Sequence, residues 1–152
     1  MINTETLKKW IKRNNIESRS IERFWEYINM YIEEIEDETS NTLKYMDFKL
    51  VKVNLYKVSL SIIYDRNEVI NVFLDILYGE IHIGRYEIVY TISAEFTDEF
   101  LVFDDISYIM RLTDTYNKTT DMAKLALQEG LDINIVSRIT RLSLEQVNEL
   151  KG

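Results

Sequence analysis

Residues 57–103, "KVSLSIIYDRNEVINVFLDILYGEIHIGRYEIVYTISAEFTDEFLVF", decide the fold. Apolar and polar side chains alternate along it, which puts Val58, Leu60, Ile62 and Tyr64 on one face of a strand. "DRNE" (65–68) reads as a turn, and "VINVFLDILY" (69–78) returns as the partner strand. "GEIHIG" (79–84) makes the next connection. "RYEIVYTISAEF" (85–96) then places Tyr86, Ile88, Tyr90, Ile92 and Ala94 on a shared face. "TDE" (97–99) reads as a further turn before "FLVF" (100–103). Upstream, "FKLVKVNL" (48–55) alternates in the same way, and the β-branched and aromatic content suits strands. The expected core is an antiparallel β-meander of four to five strands.

Helical periodicity flanks this sheet on both sides. Leu7, Trp10 and Ile11 mark a short first helix that Asn14-Asn15 stops. A longer helix carries Ile21, Phe24, Trp25, Ile28, Tyr31 or Ile32, and Ile35 on one stripe, with Ser18 or Ser20 as its cap. It runs into "EEIEDETSN" (33–41), an acidic run at the negative end of the helix dipole, where fraying or a partner contact is expected. After the sheet, polar "LTDTYNKTTD" (112–121) reads as a linker over about 112–120. A helical tail follows: "MAKLALQE" (122–129) stopped by Gly130, a helix capped by Asp132, and a last helix opened by a Ser143/Gln146 capping box. The fold class is therefore α+β, with the meander packed on N-terminal helices, an α+β domain at 1–111 and a helical tail at 112–152.

Composition narrows the function. With 152 residues, 46% of them hydrophobic, the chain can build a core. It has no Cys, which excludes disulfides, thiol chemistry and Cys-based zinc sites. Lys8, Lys9, Lys12 and Arg13 interrupt any N-terminal apolar stretch, and no run of about 18 apolar residues occurs. A cytoplasmic protein with no membrane partner is expected. The net charge is −8. Residues 65–105 carry ten acidic against two basic side chains, Arg66 and Arg85, whereas residues 1–24 carry six basic and three acidic. Such a surface repels phosphate backbones and attracts a basic protein.

The tail's short helices raise the question of DNA binding. A reading helix needs basic or amide side chains toward base edges and phosphates. Residues 121–152 hold four basic and five acidic side chains, and "SLEQVNELK" (143–151) carries Glu145 and Glu149, so no nucleic-acid partner is expected. The tail resembles instead the C-terminal tail of transposase-like PD-(D/E)XK nucleases, through Gly130, Ile135, Ile139, Thr140, Leu142, Ser143, Glu145, Val147 and Leu150. That family usually has Gly where Arg141 stands. The match spans about 30 residues and does not carry nuclease activity with it. In the body, Asp47-Phe48-Lys49 with Asp37 is the one approach to the nuclease motif, and Asp37 stands at a helix end rather than on a strand.

Other chemistry finds little support. His82 is the only histidine, with Glu80 and Glu87 as candidate oxygen donors beside it, and no nucleophile turn accompanies it. Gly79 and Gly84 form no phosphate-cradling motif. Asp98-Glu99 and Asp104-Asp105 are adjacent pairs, and adjacent residues on a strand point to opposite faces. No catalytic residue, metal or cofactor is assigned, and no enzyme activity is expected.

"IGRYEIVYTISAEFTDEFLVFD" (83–104) resembles the terminal hairpin of bacterial toxin-immunity proteins, including those of contact-dependent inhibition. Ile83, Gly84 and Tyr86 match its "IG-x-Y" strand, and Asp98, Glu99, Leu101 and Val102 its "DE-x-L-V" strand. The resemblance implies a non-catalytic protein that binds and neutralises a cognate toxin, commonly a basic nuclease. Together with the charge, it points to Glu80, Glu87, Asp98, Glu99, Asp104 and Asp105 as partner-binding residues. The alternatives are a regulatory or structural protein-binding domain without a toxin partner, or a PD-(D/E)XK-type nuclease. The oligomeric state is left open.

Overall fold

The computed structural model describes residues 3–62 and 67–152. Three helices, α1 (Thr4–Arg13), α2 (Ile16–Glu34) and α3 (Glu38–Tyr45), lead through a 3-10 turn at Phe48–Leu50 into four strands. These are β1 (Val51–Ile62), β2 (Glu68–Tyr78), β3 (Ile81–Thr91) and β4 (Phe96–Phe103), antiparallel in the order β1-β2-β3-β4. Three helices follow: α4 (Ile106–Gln128), α5 (Ile133–Thr140) and α6 (Leu144–Lys151). The α+β class and the four-stranded meander behind N-terminal helices are as the sequence predicts. Among the described residues, no helix is long and apolar enough to cross a membrane.

The chain divides into two compact units between Ile106 and Ser107. In the first, Ile70, Val72, Leu74, Ile76 and Tyr78 of β2 are buried together with Tyr86, Ile88 and Tyr90 of β3. The helices cover this face. Phe24 packs edge-on against Tyr86 at 5.5 Å, Ser20 hydrogen-bonds Tyr90 at 3.1 Å, and the Trp10 indole N–H donates to the Ile92 carbonyl at 2.7 Å. In the second unit, Ala123, Val136, Leu142 and Val147 form a separate small core.

Each strand pair carries one bulge, and each bulge reverses the side to which later residues point. Tyr56 is the extra residue on β1, Ile83 on β3 and Thr97 on β4. Gly84 follows one bulge, where a Cβ would lie 2.6 Å from the Val102 carbonyl oxygen. Only glycine allows that approach of β4, which gives the "IG-x-Y" stretch a structural reason.

Several expectations are corrected. Thr97, Asp98 and Glu99 belong to β4; the turn lies earlier, closed by Thr91 N–H to the Glu95 carbonyl at 2.8 Å, with Ala94 left-handed. Ile92 therefore leaves the strand face and is partly exposed. Of "GEIHIG", only Gly79-Glu80 turns, both at positive φ as a two-residue hairpin loop requires, and Ile81 already pairs with Tyr78. Asp65 and Arg66 of the "DRNE" turn, and Tyr64, lie outside the described residues. Ser18 and Ser20 sit inside α2, which opens at Asn15.

The polar stretch 112–120 is not a linker but the middle of α4. Thr115 and Thr119 direct their hydroxyls to carbonyls one turn back, at 2.9 Å each, and Lys118 pairs with Asp114 at 2.7 Å. Polarity there marks a solvated helix face. The acidic run 33–41 likewise breaks only over 35–37, where Asp37 caps α3 by accepting from Ser40 N–H at 2.7 Å. The Asp37 carboxyl also accepts from the Tyr31 hydroxyl at 2.5 Å, which pushes the phenol up to about 12. The tail's capping follows expectation throughout. Gly130 is left-handed, its N–H bonds Leu127 and the Leu131 N–H bonds Ala126, a Schellman stop. Asp132 caps α5, and Ser143 with Gln146 closes the capping box of α6.

Candidate functional site

The sheet face opposite α1 and α2 carries charged side chains with Tyr56, Phe73 and Phe100 among them. Strand pairing sets it out in rows. Lys57, Phe73, Glu87 and Phe100 stand opposite one another, and the row beside them is Ser59, Asn71, Val89 and Asp98. On the other side come Asn54, Asp75, Arg85 and Val102, then Lys52, Leu77 and His82. Phe100 and Val102 are 49% and 62% exposed on this face, and the bulged Tyr56 is exposed beside it.

Two polar networks hold these side chains. The Ser61 hydroxyl donates to Asn71 Oδ1, and Asn71 Nδ2 donates to Glu87 Oε1, each at 2.7 Å. Toward the Gly79-Glu80 end, Asp75 accepts from Arg85 Nε and faces His82 Nε2, each at 3.2 Å, while His82 Nδ1 lies 2.7 Å from Asp104. The Arg85 guanidinium sits 4.4 Å from the Tyr56 ring centroid, a cation–π contact. With a carboxylate on each ring nitrogen, His82 is held above its ordinary pKa, chiefly by the Asp104 hydrogen bond and against partial burial. Its hydrogen-bond partners are Asp75 and Asp104; Glu80 and Glu87, the oxygen donors considered beside it in the sequence, pair with Lys52 and Asn71 instead.

The six carboxylates selected by sequence do not form one patch. Glu80 sits in the β2–β3 turn and pairs with Lys52. Asp104 is engaged by His82, and Asp105 lies exposed beyond β4. Asp98 stands at the far end, opposite Val89, roughly 20 Å along β4 from Asp104 at strand rise. Glu99 points to the helix side, as alternation from Asp98 requires. Its side chain is 17% exposed, accepts from Arg23 Nε at 2.9 Å and Nη2 at 3.1 Å, and takes the Tyr86 hydroxyl as well. Burial and Glu99 together raise the Tyr86 pKa, so this hydroxyl stays a donor. Glu99 is a structural anchor of α2 on the sheet.

Only Glu87 and Asp98 share the outer face without a cationic partner among the described residues. They flank Phe100, Glu87 directly across and Asp98 two residues before it, diagonal neighbours at roughly 7–8 Å. Tyr56 and Arg85 were not selected from sequence; their stacking depends on the β1 bulge, which no local pattern announces. Asp47 and Asp37, the carboxylates of the nuclease-like pattern, act as caps, Asp47 accepting from Lys49 N–H at 3.0 Å. No protein-family model, curated protein or solved structure matches this chain.

Proposed function

We propose that this chain is a non-catalytic protein-binding domain whose outer sheet face docks a basic protein, and that it acts in the cytoplasm as an immunity protein against a bacterial toxin. One observation carries the docking part: exposed Phe100 stands beside Glu87 and Asp98, two carboxylates with no cationic partner among the described residues. An apolar contact rimmed by unpaired carboxylates suits a lysine or arginine whose stem lies on the ring and whose charge reaches both acids. Tyr56 and Arg85 supply the residue types that most often anchor interfaces. The toxin identity of the partner rests on the resemblance of the β3–β4 hairpin to immunity proteins.

The test looks for a toxin encoded by a neighbouring reading frame and measures binding kinetics to it, with growth protection as a second readout. Glu87→Gln plus Asp98→Asn should slow association and flatten its salt dependence, because unpaired rim charge acts mainly on encounter. Phe100→Ala should speed dissociation. Unchanged kinetics in both variants would refute this surface, and failure to bind or protect against any neighbouring toxin would refute the immunity reading.

A further inference from the structure

The basic excess of residues 1–24 is only partly used by the fold. Arg19 holds the Ala94 carbonyl, Arg23 holds Glu99, and Lys8 pairs with Glu5. Lys9 and Arg13, one turn apart on α1, are exposed and have no ion pair among the described residues. Both line a cleft of about 560 Å³ between α1 and the β3–β4 turn. Trp10 and Ile92 form its apolar wall, and Thr6 and Ser93 add hydroxyls. No carboxylate lines it among the described residues. The wall is pinned. The Trp10 indole donates to the Ile92 carbonyl, Arg19 Nη2 donates to the Ala94 carbonyl at 2.8 Å, and Tyr90 backs the indole edge-on at 6.4 Å. Like charges one turn apart on a helix repel. Arg13, in the last turn, complements the helix dipole, whereas Lys9 gains nothing of that kind. An anion that meets both relieves the repulsion.

We propose that this cleft binds a small phosphate monoester with a planar aromatic body, of the nucleoside monophosphate or aryl phosphate class. Its phosphoryl group carries about 1.5–2 negative charges at neutral pH, which suits a pair of cations. The Arg13 guanidinium meets it with paired N–H donors, and Lys9 adds a second charge. The aromatic body lies against Trp10 and Ile92, as bases lie on aromatic side chains. Clefts that hold such molecules span roughly 300–1,000 Å³, and this one falls within that range. A polymer of phosphates is disfavoured, because the net charge of −8 repels whatever extends beyond the cleft. The site uses no residue of the sheet face proposed above.

Calorimetric titration of the full chain with adenosine 5′-monophosphate and with phenyl phosphate tests the proposal. Adenosine, phenol and inorganic phosphate serve as controls. At least one ester should bind saturably and more tightly than every control, and should shift the Trp10 indole N–H resonance. Lys9→Gln and Arg13→Gln should each raise its Kd about five- to tenfold, the size of one charged hydrogen bond. Both side chains are exposed, so these variants keep the fold. Lys8→Gln removes a charge from the same helix but not from the cleft, and should leave the Kd unchanged. Saturable binding of neither ester, binding of a control as tight as the ester, a Kd indifferent to Lys9 and Arg13, or an equal loss in Lys8→Gln would each overturn it.

Discussion

Substituting Glu99 should destabilise this protein rather than remove a partner contact. Its carboxylate ties β4 to α2 through two Arg23 hydrogen bonds and anchors the Tyr86 hydroxyl, with 17% of its side chain exposed. Glu99→Ala strands the Arg23 guanidinium, itself 32% exposed and 3.3 Å from the Phe96 ring centroid, and leaves Tyr86 without its acceptor. Removing one partner of a fully buried pair costs about 3–5 kcal/mol, and charged hydrogen bonds contribute about 1.5–3 kcal/mol. Partial access of water to Arg23 places the expected loss at about 2–3 kcal/mol, or roughly 10 °C in Tm for a unit of this size. Urea denaturation followed by tryptophan fluorescence should show a lower midpoint with an unchanged m-value. Glu99→Leu with Arg23→Met should recover much of the loss, because replacing both partners removes the stranded charge. A Glu99→Ala loss below about 0.5 kcal/mol, the range of surface substitutions, would refute the reasoning. Reduced partner binding by a Glu99 variant would accordingly report on folding, whereas Asp98, its neighbour, tests the surface.

Further outcomes follow from other sites. His82 should titrate above 6.5 by NMR, conveniently as the only histidine. Its stabilising contribution should be complete below about pH 6.5 and fade as pH rises through the folded pKa; equal wild-type and His82→Gln urea midpoint differences at pH 5.5 and 8.5 would contradict this. Gly84→Ala should cost about 1–3 kcal/mol, since its Cβ would press on the Val102 carbonyl and Phe103 backbone; a neutral effect in thermal melts would be inconsistent with the register of β3 and β4. Thr113→Val should stabilise by about 0.5–1.5 kcal/mol, because the buried Thr113 hydroxyl has no hydrogen-bond partner among the described residues. Calorimetry of that variant would show a raised Tm.

Periodicity and capping are local properties, and they were legible. The change from a 3.6-residue to a 2-residue repeat marks helices and strands without reference to anything distant, so the meander and its flanking helices follow from it. Asp132, Gly130 and the Ser143/Gln146 pair act within one turn of backbone, and each sits where its chemistry predicts. Polarity alone misled at 112–120, because a solvated helix face and a linker have the same composition. The opposite orientations of Asp98 and Glu99 also follow from strand geometry alone.

Which carboxylates remain free is decided by tertiary structure. Asp75, Glu80, Glu99 and Asp104 find cationic partners 7, 28, 76 and 22 residues away, while Glu87 and Asp98 find none among the described residues. Summed charge along a segment contains no record of those pairings. The bulges at Tyr56, Ile83 and Thr97 act in the same way, since one unpaired residue redirects every side chain after it. The sequence by itself determined the element types, the α+β class and the acidic bias of the sheet; tertiary structure decided which face each side chain takes and which charges survive to meet a partner, because both depend on contacts between residues far apart in the chain.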